Sequence, residues 1–318
     1  MRSPTQRSLV LADVAAVVRD GLGDAVVSGA ELAGGGFATV WEAALRDGRR
    51  VVVKVGPPPE ARLLGYERGL VAAEAEYFRL VGERALGVPV PEVLAVAPAG
   101  AEPQWVITTW LPGRPLTDGD SAEARRQLGA AVRRVHGISG TRYGYTGGRA
   151  GGADWAAAFG AMVDELRGDA EHWSVPLPPL DGVVERYRDV LAAVTRPALL
   201  HFDLWDGNVL VAPDGSLSGV VDGERYLYGD PLLDLVSPAL FRRIEDEPAH
   251  PFLAGYASAG GAVTWDVSAR TRIALYRVHL YVLMLAEGPS RGIPVGGERH
   301  DYVTNLLVAE LKHLDSLR

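Results

Sequence analysis

Between Leu199 and Glu224 the chain carries a carboxylate that could take a proton, an amide oxygen that could hold a cation, and a second carboxylate: Asp203, Asn208 and Asp222. Val209-Leu210-Val211 and Val220-Val221 are short apolar runs of β type, and Pro213-Asp214-Gly215-Ser216 between them is a strong turn signal. Asn208 and Asp222 lie seven residues on either side of Gly215. A hairpin centred there sets them side by side at its base with both side chains on one face, an arrangement that a slip of one residue would undo. An amide oxygen beside a carboxylate suits a hard cation such as magnesium, commonly held by one or two carboxylates together with substrate phosphates. Asp203, on the loop leading into the first strand, is then left to accept a proton from a hydroxyl. Turns use Asp, Asn and Gly in any case, and an aspartate five residues before an asparagine is by itself more often a loop than a site. The second carboxylate and the apolar framing shift that balance.

The elements that would complete such a site lie upstream. Gly34-Gly35-Gly36 precedes the β-type run Phe37 to Trp41, and glycines let backbone N–H groups approach phosphates closely, although the same triplet equally suits a hairpin turn. Lys54 sits inside Val51-Val52-Val53-Lys54-Val55, where an ammonium is costly to bury unless something negative meets it. In the helix from Leu70 to Val81, residues Leu70, Val71, Tyr77, Phe78 and Val81 surround Glu74 at helical spacing, so Glu74 faces the core. Glu76, with Arg79 three residues on, reads as a solvated surface pair. A Lys54–Glu74 pair that aims the ammonium at phosphate oxygens is therefore expected. The alternative has Lys54 snorkelling from an edge strand and Glu74 at a helix rim.

A glycine-rich loop, a strand lysine, a helix glutamate, H-x-D-x-x-x-x-N and a following aspartate, in that order, resemble the protein-kinase-like fold and, within it, the aminoglycoside phosphotransferase family. His201-Phe202-Asp203-Leu204-Trp205-Asp206-Gly207-Asn208 is similar to that family's H-G-D-L-x-x-G-N. Val221-Asp222-Gly223-Glu224-Arg225, with Gly229-Asp230-Pro231 and Asp234-Leu235, is similar to its I-D-x-E-x and G-D-P-x-x-D-L. Val88 to Leu94 and Trp105 to Gly113 resemble its strand and hinge, and the resemblance runs from about residue 30 to about residue 240.

The resemblance implies an α+β, two-lobed protein-kinase-like fold and transfer of the γ-phosphoryl group of ATP or GTP to a hydroxyl of an aminoglycoside-like or amino-sugar substrate, with Mg2+. It implies Asp203 as the catalytic aspartate and Asn208 and Asp222 as metal ligands. It further implies Gly35 and Gly36 at the phosphates, Lys54 on them and steadied by Glu74, and the backbone of Thr109 and Leu111 at the nucleobase. His201 would brace the loop, and His136 matches a helix-ending L-H. Phe202 replaces the family's usual glycine, Thr39 stands where a third loop glycine would, and Trp205 resembles the D-L-W of fructosamine kinases. Asp206 either faces the substrate or caps a turn; Trp205, Asp206 and Glu224 are the candidate substrate neighbours. A fructosamine or choline-type metabolite kinase and a nucleotide-binding regulator without catalysis are the alternatives, and a role in antibiotic resistance follows only from the first reading. A protein kinase is disfavoured, because Asp222 runs into Gly229-Asp230-Pro231 with no long activation segment.

Composition sets the remaining bounds. A chain of 318 residues can build two lobes, each with a core, and 47% hydrophobic with 23% charged residues is usual for a soluble globular protein. With no cysteine there is no disulfide, zinc-thiolate site or cysteine nucleophile. A net charge of -8 argues against nucleic acid and favours a neutral or cationic small substrate. Leu9 to Val18, broken by Asp13, reads as an amphipathic helix and not a signal segment, and Ile273 to Ala286 is too short to span a bilayer, so a cytoplasmic protein is expected. Residues 1–107 read as a small β-rich nucleotide lobe with a leading helix, 108–115 as a hinge, and 116–318 as a larger helical lobe interrupted by the central hairpin. The glycine- and tyrosine-rich stretch 140–153 reads as a loop. Asp230, Asp234 and Glu245-Asp246-Glu247 read as structural residues and a solvated turn.

Overall fold

The computed structural model describes residues 2–317. Alternation builds the small lobe. Helix α1 (Leu11–Leu22), closed by Gly23 in the left-handed region, is followed by strands β1 (Val26–Glu31), β2 (Thr39–Leu45) and β3 (Arg50–Val55), helix α2 (Leu70–Arg84), and strands β4 (Val93–Val96) and β5 (Trp105–Thr109). The strands form one antiparallel sheet in the order β1-β2-β3-β5-β4. Every second residue of β2, from Thr39 to Leu45, is buried, as are Val51, Val53 and Val55 of β3. With Trp105 and Ile107 they make a core beneath Val14 and Val18 of α1. The two-residue period turns Lys54 to the other face, toward α2. β3 is the middle strand, so Lys54 is buried inside the sheet and not at an edge.

The expected hinge is shorter than its eight residues. Thr108 and Thr109 pair with Val52 and Val51 and so belong to β5, while β6 (Arg114–Pro115) pairs with Leu210 and Val211 of the large lobe.

The large lobe contains α3 (Ala122–Val135), β7 (Tyr143–Tyr145), β8 (Gly151–Gly152), α4 (Trp155–His172), α5 (Val183–Arg186), α6 (Arg188–Ala192) and β9 (Ala198–Leu200). The hairpin strands β10 (Val209–Val211) and β11 (Leu217–Val220) follow, then β12 (Leu227–Gly229), α7 (Pro251–Ser258), α8 (Val267–Ala286) and α9 (Glu298–Ser316). Side chains of Ser121, Asp154 and Asp266 cap α3, α4 and α8. Besides β11-β10-β6 there is a four-stranded sheet, β8-β7-β12-β9. The stretch 140–153 is thus a hairpin contributing to a sheet, not a loop: Tyr143 and Tyr145 are buried, and Gly144 (φ 89°) lies so close to Gly151 that a Cβ would fall 2.5 Å from its Cα. Glu245 is likewise no solvated turn. It is 4% exposed and accepts from Arg277 Nη1 at 2.9 Å, while Arg277 Nε donates to Glu310 at 2.8 Å.

Tyr77, Phe78 and Val81 of α2 pack with Ala131 and Val135 of α3, Leu199 of β9, Tyr226 and Tyr228. A helix counted with the small lobe is thereby seated on the large one, which fixes Glu74 relative to the hairpin.

Candidate active site

The hairpin register differs from the expected one by a single residue. Val209 faces Val220, and the Val221 N–H donates to the Asn208 carbonyl at 3.0 Å, so Asn208 lies opposite Val221 and not Asp222. A bulge between Leu210 and Val211 shifts the pairing. Asp222 is aimed by its backbone instead: it leaves the strand in the left-handed conformation (φ 65°, ψ 47°), and its Oδ1 lies 2.5 Å from Lys54 Nζ. Gly223 follows because Tyr77 covers it, a Cβ there falling 2.2 Å from the ring.

Lys54 also meets Glu74 Oε2 at 3.1 Å and Glu224 Oε2 at 2.6 Å. The pair expected from the helix pattern is therefore part of a cluster of three carboxylates around one ammonium. Burial works against the Lys54 charge, but Asp222, Glu224 and Glu74 outweigh it and raise its pKa well above the usual value. Burial likewise raises Asp222, yet the adjoining ammonium more than offsets this and holds it below the normal range. Burial, opposed by Lys54 but joined by repulsion from Asp222, raises Glu224 and Glu74. The cluster carries more negative charge than one ammonium can balance.

The Asp203 loop is held by Asp234, on the turn after β12. Its carboxylate accepts from the backbone N–H groups of His201 (3.0 Å) and Phe202 (2.6 Å) and lies 3.0 Å from His136 Nε2, whose Nδ1 is 2.9 Å from the Tyr256 hydroxyl. Ser237 Oγ accepts from Leu204 N–H. His201 has both ring nitrogens committed, Nε2 toward the Val221 carbonyl (3.0 Å) and Nδ1 accepting from Asp203 N–H (3.2 Å); this suits the neutral ring, and burial lowers its pKa. His201 thus braces the loop. Asn208 Nδ2 donates to the Asp203 carbonyl at 2.8 Å, which turns its amide oxygen outward. Burial pushes the Asp203 carboxyl up to about 7, opposed by Arg225, whose Nε stands 3.7 Å away.

Around the other candidates the structure is specific. The carbonyls of Gly35 and Gly36 accept from Gln6 and Thr5, so the N-terminal segment holds the glycine loop from behind. Thr109 gives its N–H to the Glu92 carbonyl and accepts from Glu92 N–H through its hydroxyl. Among the described residues, Leu111 N–H donates to no protein acceptor. Trp205 folds over Gly207, and Asp206 accepts from Nη1 and Nη2 of Arg125 at 2.8 and 2.7 Å. Glu224, expected beside the substrate, is 3% exposed and taken up with Lys54.

Sequence reasoning missed Arg225, Glu287, Tyr66 and Arg291. Arg225 Nη2 reaches Glu287 at 3.0 Å, Tyr66 donates to the same carboxylate at 2.7 Å, and Arg291 joins Glu287 to Glu67. Only Arg225 had a signal, its adjacency to Glu224; the others come from a strap (residues 57–68) and the segment that follows α8, without a motif.

An ammonium and paired carboxylates beside a half-buried aspartate, drawn from two lobes, define a phosphotransferase of the protein-kinase-like class. The model of the phosphotransferase enzyme family (APH) matches residues 29–273, and the chain belongs to that family, whose members act on hydroxyl groups. Among solved structures, a candidate fructosamine-3-kinase from Thermobifida fusca YX-ER1 is 24% identical, covering 95% of this chain and 100% of that one with a TM-score of 0.67. The macrolide 2'-phosphotransferase MphH from Brachybacterium faecium is 20% identical over 93% and 98% of the two chains (TM-score 0.59). A spectinomycin phosphotransferase in complex with ADP and spectinomycin is 13% identical over 98% and 99% (TM-score 0.57). No curated protein matches the chain. No helix of the described residues is long and apolar enough to cross a membrane.

Proposed function

We propose that the chain transfers the γ-phosphoryl group of ATP to a hydroxyl of a small molecule, with Asp203 as the group that receives the hydroxyl proton. The observation that carries this reading is the meeting of Lys54 and Glu74 from one lobe with Asp222 from the other, beside Asp203 on a loop locked by Asp234. Lys54, freed from Asp222 by incoming phosphates, neutralises their charge, while Glu74 keeps the ammonium in place. The Leu111 N–H and Thr109 carbonyl are the backbone groups assigned to a nucleobase. ADP in the spectinomycin phosphotransferase supports ATP as the donor.

The donor set suits magnesium: an outward amide oxygen on Asn208 and a carboxylate on Asp222 that is 36% exposed, beside a cluster with surplus negative charge. Bound there, the ion would supply neutralisation of phosphate charge. Asp203 orients the acceptor hydroxyl in line with the phosphoryl group and takes its proton as the new bond forms, which places the catalysis mainly in positioning. The test is ADP release with Mg-ATP over aminoglycosides, macrolides, amino sugars, fructosamines and choline-like alcohols. Asp203→Asn should lower kcat by on the order of 10²-fold or more while nucleotide still binds; near-normal turnover in that variant would remove Asp203 from this role.

A further inference from the structure

Arg225 stands between two carboxylates and is fully used by only one. Its Nη2 bonds Glu287 at 3.0 Å, but its Nε, 3.7 Å from Asp203 Oδ2, is too far for a hydrogen bond and has no partner among the described residues, although the atom is shut off from solvent. Two atoms at that separation can both lie about 2.8 Å from a single oxygen. A hydroxyl placed there donates to Asp203 and accepts from Arg225 Nε–H, so one oxygen satisfies the orphan donor and meets the base.

Apart from the Lys54 cluster, whose surplus negative charge lies where the metal would bind, the charges around this point are matched. Glu287 is shared by Arg225, Arg291 and the Tyr66 hydroxyl, and Glu67 is held by Arg291 and Leu64 N–H. Glu224 lies on Lys54 and Asp206 on Arg125. Arg149 adds a further cation, donating to the Tyr66 carbonyl over the Tyr145 ring. Among the described residues near the strap, Glu165 and Asp169 of α4, at Gly65, have no ion pair, and Asp169 accepts from Gly65 N–H. A molecule with several ammonium groups would have to break existing ion pairs and approach three guanidinium groups.

We propose that Arg225 and Asp203 form a two-point clamp for the reacting hydroxyl, and that the acceptor is a neutral or at most singly charged hydroxyl compound, a glycoside or polyol, and not a polycation. This rests on the phosphotransfer reading above. It narrows the expectation drawn from the net charge of -8 to its neutral end, because the carboxylates near Arg225 are held by internal cations. Arg225 is then a specificity-determining residue that touches the substrate, and Tyr66 and its strap must lift to admit it.

The experiment compares Mg-ATP turnover of the wild type on neutral glycosides and polyols with turnover on polycationic aminoglycosides, then repeats the kinetics on R225K and R225M with nucleotide affinity as the folding control. Transfer to the neutral set is expected. In R225K, which keeps a charge for Glu287 but has no donor at the Nε position, the acceptor KM should rise by on the order of 10- to 100-fold with nucleotide affinity unchanged. Preference of the wild type for the polycations overturns the proposal without need of any variant. An acceptor KM within twofold of wild type in a nucleotide-binding R225K overturns the clamp. A wild type that binds nucleotide but transfers to neither set overturns the phosphotransfer reading itself, and the clamp with it.

Discussion

Replacing His279 by leucine should remove a large part of the protein's sensitivity to mild acid. His279, on α8, is 1% exposed, with its ring between Phe159 of α4 and Phe202 of the Asp203 loop at centroid distances of 5.5 and 5.4 Å. Neither ring nitrogen has a hydrogen-bond partner among the described residues, and burial pushes its pKa from 6.5 down to about 3. The folded state therefore keeps the neutral ring, whereas the unfolded chain takes up a proton below pH 6.5. The stability contributed by this difference is full above pH 6.5 and is lost as the pH falls from 6.5 toward 3. Each unit inside that window costs about 1.4 kcal/mol, so the loss between pH 7 and pH 5 is about 2 kcal/mol from this one group. Leucine has no proton to gain and gives up no hydrogen bond, so H279L should be at least as stable at pH 7. Urea unfolding of both proteins at pH 7 and pH 5 isolates the effect, because acid-sensitive carboxylates are common to the two. The stability difference should move by about 2 kcal/mol in favour of H279L at the lower pH. Parallel pH dependence would mean that the ring is protonated in the folded state, and the reasoning from burial would fall.

Asp222→Ala should abolish magnesium-dependent nucleotide binding; a nucleotide titration with and without the metal checks this, and an unchanged response to magnesium counts against Asp222 as a ligand. Asp234→Asn offers one carbonyl oxygen where two oxygens now serve His201 N–H, Phe202 N–H and His136. Leaving a buried donor unmet should cost about 1–3 kcal/mol by denaturant unfolding and lower kcat more than nucleotide affinity. Gly223→Ala drives a methyl to within 2.2 Å of the Tyr77 ring, and overpacking of this kind should destabilise by about 1–3 kcal/mol, seen as a lower midpoint with unchanged slope.

What the sequence made legible follows periodicity. The Val51 to Val55 run and the spacing around Glu74 fixed which faces of β3 and α2 are inward, and the Lys54–Glu74 contact follows from those two local patterns alone. Asp203, Asn208 and Asp222 were found as residue types, but their mutual placement was not, since a bulge and a left-handed residue override strand parity. The β7 and β8 hairpin went unread because its strands are two or three residues long and glycine-rich, below the length at which alternation carries a signal. The cationic partners of Asp206, Glu224 and Glu245 are separated from them by tens of residues or more, and ion pairing at that range has no local pattern.

Two of the residues that aim the site's carboxylates share an uncommon backbone state. Phe202 (φ 67°) and Asp222 (φ 65°) are left-handed, which costs about 1–2 kcal/mol for a residue with a Cβ. At Phe202, where the family usually has glycine, the ring is 1% exposed against His279, and burying a phenylalanine returns about 1.5–3 kcal/mol. At Asp222 the compensation is the ion pair with Lys54. The directions of Asp203 and Asp222 are thus set by what surrounds two strained residues, not by the strands that lead into them. A glycine at position 202 would relieve the strain yet leave a void beside His279 and free the backbone next to Asp203, so its effect on turnover should exceed its effect on stability. The phenylalanine holds the Asp203 loop by packing where the family's glycine allows the same turn by lacking a side chain.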